Sequence, residues 1–300
     1  MDPCVSVMGG AGFIGRRLVE RLVARGTSVR IVSRHAAGKG DPGRRIEHVV
    51  GDIEDPSTRE RAVDGASAVI NLVGTTAATS RRQFFSVHCD APGRLAAAAR
   101  LAGVRRFIHV SAMGIGLDAP SLADRSKAAG ESVVREAFPG ASFVRPALVY
   151  GPGDHFFTLF AGLVRRAPAV PLIGGGRTRF QPMHVDDVAE AMARMLEEPG
   201  TAGRAFELGG SEIYSFSELI ESLCRALGRR PWRVPIAFPL AEALAYSTQW
   251  LPHAPLTVDQ VRLLKTDKVI RDPHSAPAAL GVRPRPLERF LSELGKPYSR

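Results

Sequence analysis

The chain has 300 residues, enough for one large α/β domain or for a nucleotide-binding domain with a smaller cap. Hydrophobic residues make up 45% and charged residues 23%, an ordinary globular composition that excludes disordered, collagen-like and disulfide-scaffold proteins. The formal net charge of +10 attracts the chain to anionic partners, either nucleic acid or an acidic membrane surface.

Cysteine usage and hydropathy restrict the cellular setting. Cys4, Cys89 and Cys224 lie far apart, with no CxxC motif and no histidine at ligand spacing, so we expect neither a metal site nor a disulfide. An apolar strand follows Pro3 at once, which leaves no room for a signal peptide. No apolar run reaches the roughly 18 residues of a membrane span. We therefore expect a soluble or peripheral protein in a reducing compartment.

A glycine-rich loop follows the first predicted strand, at residues 3–8. The loop has the sequence Gly-Gly-Ala-Gly-Phe-Ile-Gly over residues 9–15, and apolar residues then recur at helical spacing to about Arg25. Between a strand and a helix, glycines at 10, 12 and 15 allow a tight turn and close approach of the backbone to a pyrophosphate, which the helix N-terminus faces. This context predicts a dinucleotide site.

The second predicted strand, residues 28–32, ends at Ser33 and Arg34. An NAD-selective site would place a carboxylate there to bind the ribose hydroxyls, but residues 26–40 contain none. A guanidinium suits a 2′-phosphate in geometry and charge, and Arg16 and Arg17 on the glycine-loop helix are further candidates. The pattern favours NADP(H) over NAD(H), although a solvated arginine is the alternative.

Strands and helices continue to alternate through the first half of the chain. Further strands are predicted at 46–50, 66–73, 106–111 and 142–146, and helices at 82–103 and 125–138. This alternation predicts an α/β fold with a doubly wound parallel Rossmann sheet, which binds its ligand at the carboxyl ends of the strands. After Tyr150 the pattern is less regular, with an amphipathic helix at 156–164, which indicates a smaller C-terminal domain.

Several motifs together resemble the short-chain dehydrogenase/reductase superfamily, in its extended and atypical branch. The matching motifs are Gly9-x-x-Gly12-x-x-Gly15, Gly51-Asp52, Asn71-Leu72-Val73-Gly74, His109-Val110-Ser111-Ala112, Ser126-Lys127 and Arg145-Pro146-Ala147-Leu148-Val149-Tyr150-Gly151-Pro152. The resemblance implies a dinucleotide-binding domain at residues 1–150 and a C-terminal domain at 151–300, with about 183–200 returning to the first domain. The expected cofactor contacts are Gly9, Gly10, Gly12, Phe13, Ile14, Gly15, Ser33, Arg34, Asp52, Ile53, Leu72, Val73, Gly74, Ser111, Lys127 and Pro146.

The catalytic residues of that superfamily are incomplete here. Active members use a serine, a tyrosine and a lysine, and the tyrosine stands four residues before the lysine, on the same helix face. The ammonium then lowers the pKa of the phenol from about 10 and makes it a useful acid near neutral pH. Ser111 and Lys127 occupy two of these positions, but Ala123 occupies the third and cannot transfer a proton.

Two interpretations of this loss compete. A displaced acid, such as Ser121, Asp124 or His155, could support reductase, epimerase or dehydratase chemistry. Alternatively the chain binds its cofactor without turning it over. A redox-sensing module, in which cofactor occupancy alters the C-terminal surface, is a further option.

Segments at 125–131, 152–157, 171–182 and 256–264 are similar to the Rossmann-fold accessory subunit of respiratory complex I (NADH:ubiquinone oxidoreductase) and its proteobacterial relatives. That resemblance implies a tightly held, structural NADPH, complex I subunits as partners, and a peripheral position at the inner face of the cytoplasmic membrane. It also favours a protein with no independent enzymatic activity.

A basic and apolar segment near the C-terminus suggests a second kind of partner. Arg229, Arg230, Trp232 and Arg233 precede an apolar stretch at 234–251, which contains Tyr246 and Trp250. Prolines at 235, 239 and 252 break this stretch into pieces too short to span a membrane. Such a helix can lie on an anionic membrane or on a partner protein, although it can equally be an ordinary helix that closes over the cofactor site. No nucleic-acid-binding module is recognisable, so we expect no nucleic-acid partner.

Overall fold

A computed structural model describes residues 4–35, 45–76, 78, 80–248 and 256–294. The strands are β1 (Cys4–Met8), β2 (Ser28–Ser33), β3 (Ile46–Val50), β4 (Ala66–Asn71), β5 (Arg106–Val110), β6 (Ser142–Pro146), β7 (Val149–Tyr150), β8 (Ala169–Ile173), β9 (Arg179–Phe180), β10 (Met183–His184), β11 (Ala205–Leu208), β12 (Tyr214–Ser215) and β13 (Trp232–Ile236). The helices are α1 (Phe13–Ala24), α2 (Pro56–Val63), α3 (Arg81–Phe85), α4 (Ala91–Leu101), α5 (Leu122–Ala137), α6 (Phe156–Arg166), α7 (Val185–Glu197), α8 (Phe216–Ala226), α9 (Phe238–Thr248), α10 (Val258–Leu263) and α11 (Leu287–Leu294).

Seven parallel strands form the central sheet, in the order β11-β6-β5-β4-β1-β2-β3. The order reverses at β1, which pairs with β2 on one side and with β4 on the other. In such a sheet the carboxyl ends of β1 and its neighbours leave a crevice for a ligand. The doubly wound α/β fold expected from the sequence is therefore confirmed.

Helices cover both faces of this sheet and exclude water from its apolar strands. On one face, Val7 packs with Leu18 of α1 and Met192 of α7. On the other, Met8 packs with Leu95 of α4 and Val134 of α5. Burial of both faces explains why the strands are continuous apolar runs, since a parallel sheet has no solvent-facing side.

The helix predicted at 82–103 is confirmed as one continuous helical stretch, but it is not regular throughout. The structure has α3, a π-helical turn at Ser86–Asp90, and α4. Pro92 has no N–H to donate to the carbonyl of His88, so the regular hydrogen-bond ladder shifts at this point. The His88 carbonyl instead faces α5, where an added Cβ on Gly130 would lie only 1.8 Å from its oxygen.

The C-terminal half contains a second apolar core. Tyr150, Phe157, Phe180, Phe216 and Leu287 pack together, between α6, α8 and α11. Small sheets pair β7 with β10, β9 with β12, and β8 with β13. This half also supplies β11 to the edge of the central sheet and α7 to the side of α1.

The apolar segment at 234–251 is not one helix. Its first residues belong to β13, which pairs in parallel with β8, and α9 begins only at Phe238. Pro235 disfavours helical geometry at Val234 and is tolerated at the edge of a sheet. Trp250 and Leu251 lie outside the described residues. Among the helices that the structure describes, none combines the length and the apolar character needed to cross a bilayer.

Candidate functional site

The glycine-rich loop forms a backbone cradle at the carboxyl end of β1. Gly9 has a φ of +81°, a conformation that favours glycine, and its N–H donates to the carbonyl of Val32 at 2.8 Å. A Cβ on Gly15 would lie 2.3 Å from the Gly9 oxygen, so α1 can approach the loop only because residue 15 has no side chain. Helix α1 begins directly after exposed Gly12, without a side-chain cap. This arrangement fits a diphosphate group, and Phe13 and Ile14 form the first helical turn.

The end of β2 carries the residues expected at the 2′-phosphate. The Ser33 hydroxyl donates to the His35 carbonyl at 2.6 Å, and Arg34 is exposed. Arg17, by contrast, is engaged by its own chain, because its guanidinium lies 3.1 Å from Glu20 and 3.5 Å from Asp186. Of the arginines considered from the sequence, Arg34 and exposed Arg16 are thus better placed than Arg17 to meet a ligand.

The loops after β3 and β4 lie beside the glycine loop. The Gly51 N–H donates to the Ser33 carbonyl at 3.0 Å, which holds the start of the Asp52–Ile53 loop next to β2. A Cβ on Gly9 would lie 3.4 Å from the Leu72 backbone, so the 72–74 loop contacts the cradle directly. The structure therefore brings together the expected adenine, ribose and diphosphate contacts along one edge of the sheet.

A buried histidine, which the sequence did not single out, holds the next part of the site. His88 Nε2 accepts the Thr75 N–H at 3.0 Å, and Nδ1 lies 2.8 Å from the Ser126 hydroxyl. Since that hydroxyl donates to the Ala123 carbonyl at 2.9 Å, the proton belongs on Nδ1. Burial, and then the nearby Lys127 ammonium, lower the pKa of His88 to about 3, so the ring is neutral. It joins the loop after β4 to α5.

Ser111 and Lys127 define the far end of the cleft. Ser111 is buried, and its hydroxyl has no hydrogen-bond partner within the described part of the chain. Such a group requires an acceptor or donor from a ligand or water. Burial lowers the pKa of Lys127 to about 8, the Asp124 carboxylate opposes that shift, and the Lys268 ammonium adds to it. Pro146 lies beside this end and accepts the Met113 N–H at 3.0 Å.

The position of the missing tyrosine is apolar. Ala123 is buried in a small cluster with Ala78 and Phe84, against which Leu122 and Leu263 pack. The described members of this cluster therefore include no side chain that could donate a proton in place of the tyrosine.

The three displaced acids considered from the sequence have other surroundings. Ser121 is buried at the start of α5, where its hydroxyl accepts the Asp124 N–H at 3.0 Å. The Asp124 carboxylate accepts from the Lys268 ammonium at 2.8 Å, and His155 is exposed at the start of α6. Residues 4–35, 45–76, 78, 80–248 and 256–294 include no cluster of three His, Cys, Asp or Glu side chains that could bind a metal.

A second candidate surface lies on β13 and α9. Its apolar side chains are largely exposed: Trp232 80%, Leu240 55%, Leu244 50% and Tyr246 68%. Arg229 and Arg230 are exposed beside it, and Arg233 pairs with Glu221 at 2.8 Å. We call these residues the β13–α9 face.

Comparison with known proteins gives a consistent family. Residues 5–209 match the NAD dependent epimerase/dehydratase family. The chain is 32% identical over 285 residues to NADH dehydrogenase (ubiquinone) 1 alpha subcomplex subunit 9, mitochondrial, of Arabidopsis thaliana, covering 89% of this chain and 71% of that protein. It is 31% identical to ceramide reductase of Caulobacter vibrioides, covering 93% and 88%.

A solved structure of similar fold is DesIV, a dTDP-glucose 4,6-dehydratase from Streptomyces venezuelae with NAD and TYD bound. It superimposes with a TM-score of 0.75 at 22% identity, over 97% of this chain and 95% of that one. This likeness establishes the shared fold. The expected resemblance to the short-chain dehydrogenase/reductase superfamily and to the complex I accessory subunit is confirmed by these matches.

The neutrality of His88 predicts a pH-dependent stability. The pKa of His88 is about 3 in the folded protein, against an ordinary value of 6.5. Between pH 3 and pH 6.5 the unfolded chain therefore binds a proton at this residue that the folded protein does not. The free energy of unfolding should therefore fall on acidification, with His88 contributing up to about 1.4 kcal/mol per pH unit. Urea unfolding at several pH values should show a shallower dependence in His88→Gln.

Phe84→Leu is the matched control, because that ring centroid lies 5.8 Å from the His88 ring. Phe84→Leu should lower the free energy of unfolding by the same amount at every pH. An equal pH slope in the wild type and in His88→Gln would contradict the assignment.

Proposed function

The chain belongs to the NAD dependent epimerase/dehydratase family, and from that premise we propose that it binds NADP(H) without turning it over. We further propose that it acts as an accessory or assembly subunit of respiratory complex I. One observation carries the proposal: the backbone cradle is intact, whereas the position of the proton donor holds Ala123 inside an apolar cluster. The glycine cradle and the proton donor are different residues, so the cradle can persist where the donor is lost.

The proposed cofactor contacts follow one another along the carboxyl ends of the strands. The glycine loop and the first turn of α1 would hold the diphosphate, and Asp52 and Ile53 would flank the adenine. Leu72, Val73 and Gly74 would line the middle of the cofactor, and Ser111, Lys127 and Pro146 its nicotinamide end. NADP(H) supplies hydride chemistry when bound. The unpartnered Ser111 hydroxyl and the Lys127 ammonium then serve to bind and orient it.

The partner is inferred from the relatives. The Arabidopsis relative is named as a subunit of NADH dehydrogenase, and the match covers 89% of this chain. Similar coverage holds for the mouse protein of the same name, at 94% of this chain and 32% identity. A peripheral position at the inner face of the cytoplasmic membrane agrees with the net charge of +10 and with the β13–α9 face.

A reductase is the second candidate function. The Caulobacter relative is named ceramide reductase. Lys127 has a pKa of about 8, so its ammonium can exchange a proton near neutral pH, as a general acid requires. In that case Lys127 would have to serve without the tyrosine, and the substrate would carry a carbonyl group.

Isolation of the native protein tests the main proposal. From mildly solubilised membranes, the chain should migrate with NADH:ubiquinone oxidoreductase on native gels and release stoichiometric NADPH on denaturation. Mass spectrometry identifies the nucleotide. Gly15→Ala is the negative control, because its Cβ would lie 2.3 Å from the Gly9 oxygen and close the cradle. A chain that migrates alone, and that oxidises NADPH when given a ketone-bearing lipid, would establish the reductase instead.

Cofactor choice should depend on Arg34. Arg34→Ala removes the guanidinium proposed to bind the 2′-phosphate, so NADPH affinity should fall about 10- to 100-fold, with little change for NADH. Isothermal titration of nucleotide-free protein measures both affinities. Arg105→Ala is the matched control, since that exposed arginine precedes the amino end of β5, whereas Arg34 follows the carboxyl end of β2. Equal losses for the two nucleotides would remove Arg34 from this role.

Membrane attachment should require both parts of the β13–α9 face. The wild type should sediment with vesicles containing anionic phospholipid and be released at high salt, since about 1 kcal/mol per basic residue is electrostatic. Arg229→Ser with Arg230→Ser should weaken this binding about tenfold or more, and Trp232→Ser should weaken it at every salt concentration. Leu101→Ser, at an α4 side chain that is 91% exposed, should bind as the wild type does. Equal binding to neutral vesicles would exclude the electrostatic component.

A further inference from the structure

The start of α5 is held by a carboxylate from the other half of the chain. Asp259, in the first turn of α10, accepts the Leu122 N–H at 2.6 Å through Oδ1 and the Ala123 N–H at 3.1 Å through Oδ2. These are two of the N–H groups that a helix leaves without partners at its first turn. A residue 136 positions away therefore completes the helix that carries Lys127.

The same C-terminal segment makes a buried ion pair with α5. Lys268 Nζ lies 2.8 Å from Asp124 Oδ2, and the two side chains are only 12% and 2% exposed. The Lys268 backbone is held against the segment around β9. Its N–H donates to the Arg179 carbonyl, and its carbonyl accepts the Gln181 N–H. Neither end of this bridge is free to move without breaking hydrogen bonds. We call residues 256–268 the clamp segment.

A third contact closes the clamp segment over the loop after β5. A Cβ on Gly114 would lie 2.9 Å from the Asp267 carbonyl oxygen, so the two backbones are in close contact. Gly114 follows Ser111 by three residues, and Asp124 precedes Lys127 by three. The clamp segment thus touches both elements that supply the nicotinamide end of the proposed cofactor site.

We propose that Asp259 and Lys268 are positioning residues of this site, which hold α5 against the bound dinucleotide and slow its release. The proposal rests on the proposed function, because it assumes that the cleft holds NADP(H). Release requires the nicotinamide end of the cleft to open. Opening separates the clamp segment from α5, exposes the Asp124–Lys268 ion pair and leaves the first N–H groups of α5 without Asp259.

Nucleotide exchange in the full-length protein tests the proposal. The protein is loaded with NADPH, mixed with excess NADP⁺, and the loss of bound NADPH fluorescence is followed over time. Lys268→Met should release NADPH at least tenfold faster than the wild type, and Lys268→Arg should restore a slow rate because it keeps the charge. Asp259→Asn leaves one side-chain oxygen to accept an N–H of α5 instead of two. It should therefore release NADPH at an intermediate rate.

Lys265→Met is the matched control. Lys265 lies in the same segment, but its ammonium pairs with Glu242 of α9 at 2.5 Å rather than with α5. Its release rate should equal that of the wild type. The double variant Asp124→Asn with Lys268→Met removes the pair without leaving a buried charge, so it covers the case in which Lys268→Met fails to fold. It should also release NADPH quickly.

Three outcomes are distinguishable. Fast release in Lys268→Met and in the double variant, with slow release in Lys268→Arg and Lys265→Met, supports the clamp. Release at the wild-type rate in both Lys268→Met and the double variant, even with a lower melting temperature, overturns it and leaves the proposed function intact. A wild-type protein that does not retain NADPH at all overturns the proposed function itself, and the clamp with it.

Discussion

The close contact between α5 and the π-helical turn determines where most of the candidate site lies. It exists because Gly130 has no side chain, since a Cβ there would lie 1.8 Å from the His88 carbonyl oxygen. At this distance the His88 ring reaches both the Thr75 N–H and the Ser126 hydroxyl. The loop after β4 and the helix that carries Lys127 are thereby joined through one neutral imidazole. A larger residue at 130 would separate them.

Around this contact, the backbone cradle that fits a diphosphate is complete, but the tyrosine of the superfamily is missing. The glycine cradle and the 72–74 loop are in contact at the carboxyl ends of β1 and β4, and Lys127 lies on α5. The tyrosine position, however, is filled by Ala123, whose neighbours are apolar. Lys268 brings an ammonium from the other half of the chain to Asp124, the next residue along α5. The charged groups around the start of α5 are therefore two lysines, Lys127 and Lys268, and two carboxylates, Asp124 and Asp259.

The clamp segment also lies next to the β13–α9 face. Lys265 pairs with Glu242 of α9, and Val261 of α10 packs with Ala241 and Ala245 of the same helix. Asp259, two residues before Val261, binds the first turn of α5. A single short stretch of chain thus contacts both the exposed apolar face and the proposed cofactor site.

The sequence by itself determined the fold class and the position of the glycine loop. Alternating apolar runs and helical periods depend on neighbours along the chain, and the glycine spacing needs only the local turn between β1 and α1. The loss of the tyrosine could also be recognised, because its place is fixed by an i, i+4 relation to Lys127 on one helix face.

Only the tertiary structure decided which side chains meet across long separations. His88 and Lys268 had no motif around them, and the resemblance at 256–264 gave Asp259 no role. Each of the three acts through partners 13 to 144 positions away. The tertiary structure also paired Arg17 with Asp186 while leaving Arg34 exposed. The physical reason is the same in each case: hydrogen bonds and ion pairs depend on distances of about 3 Å in space, which local sequence patterns do not encode.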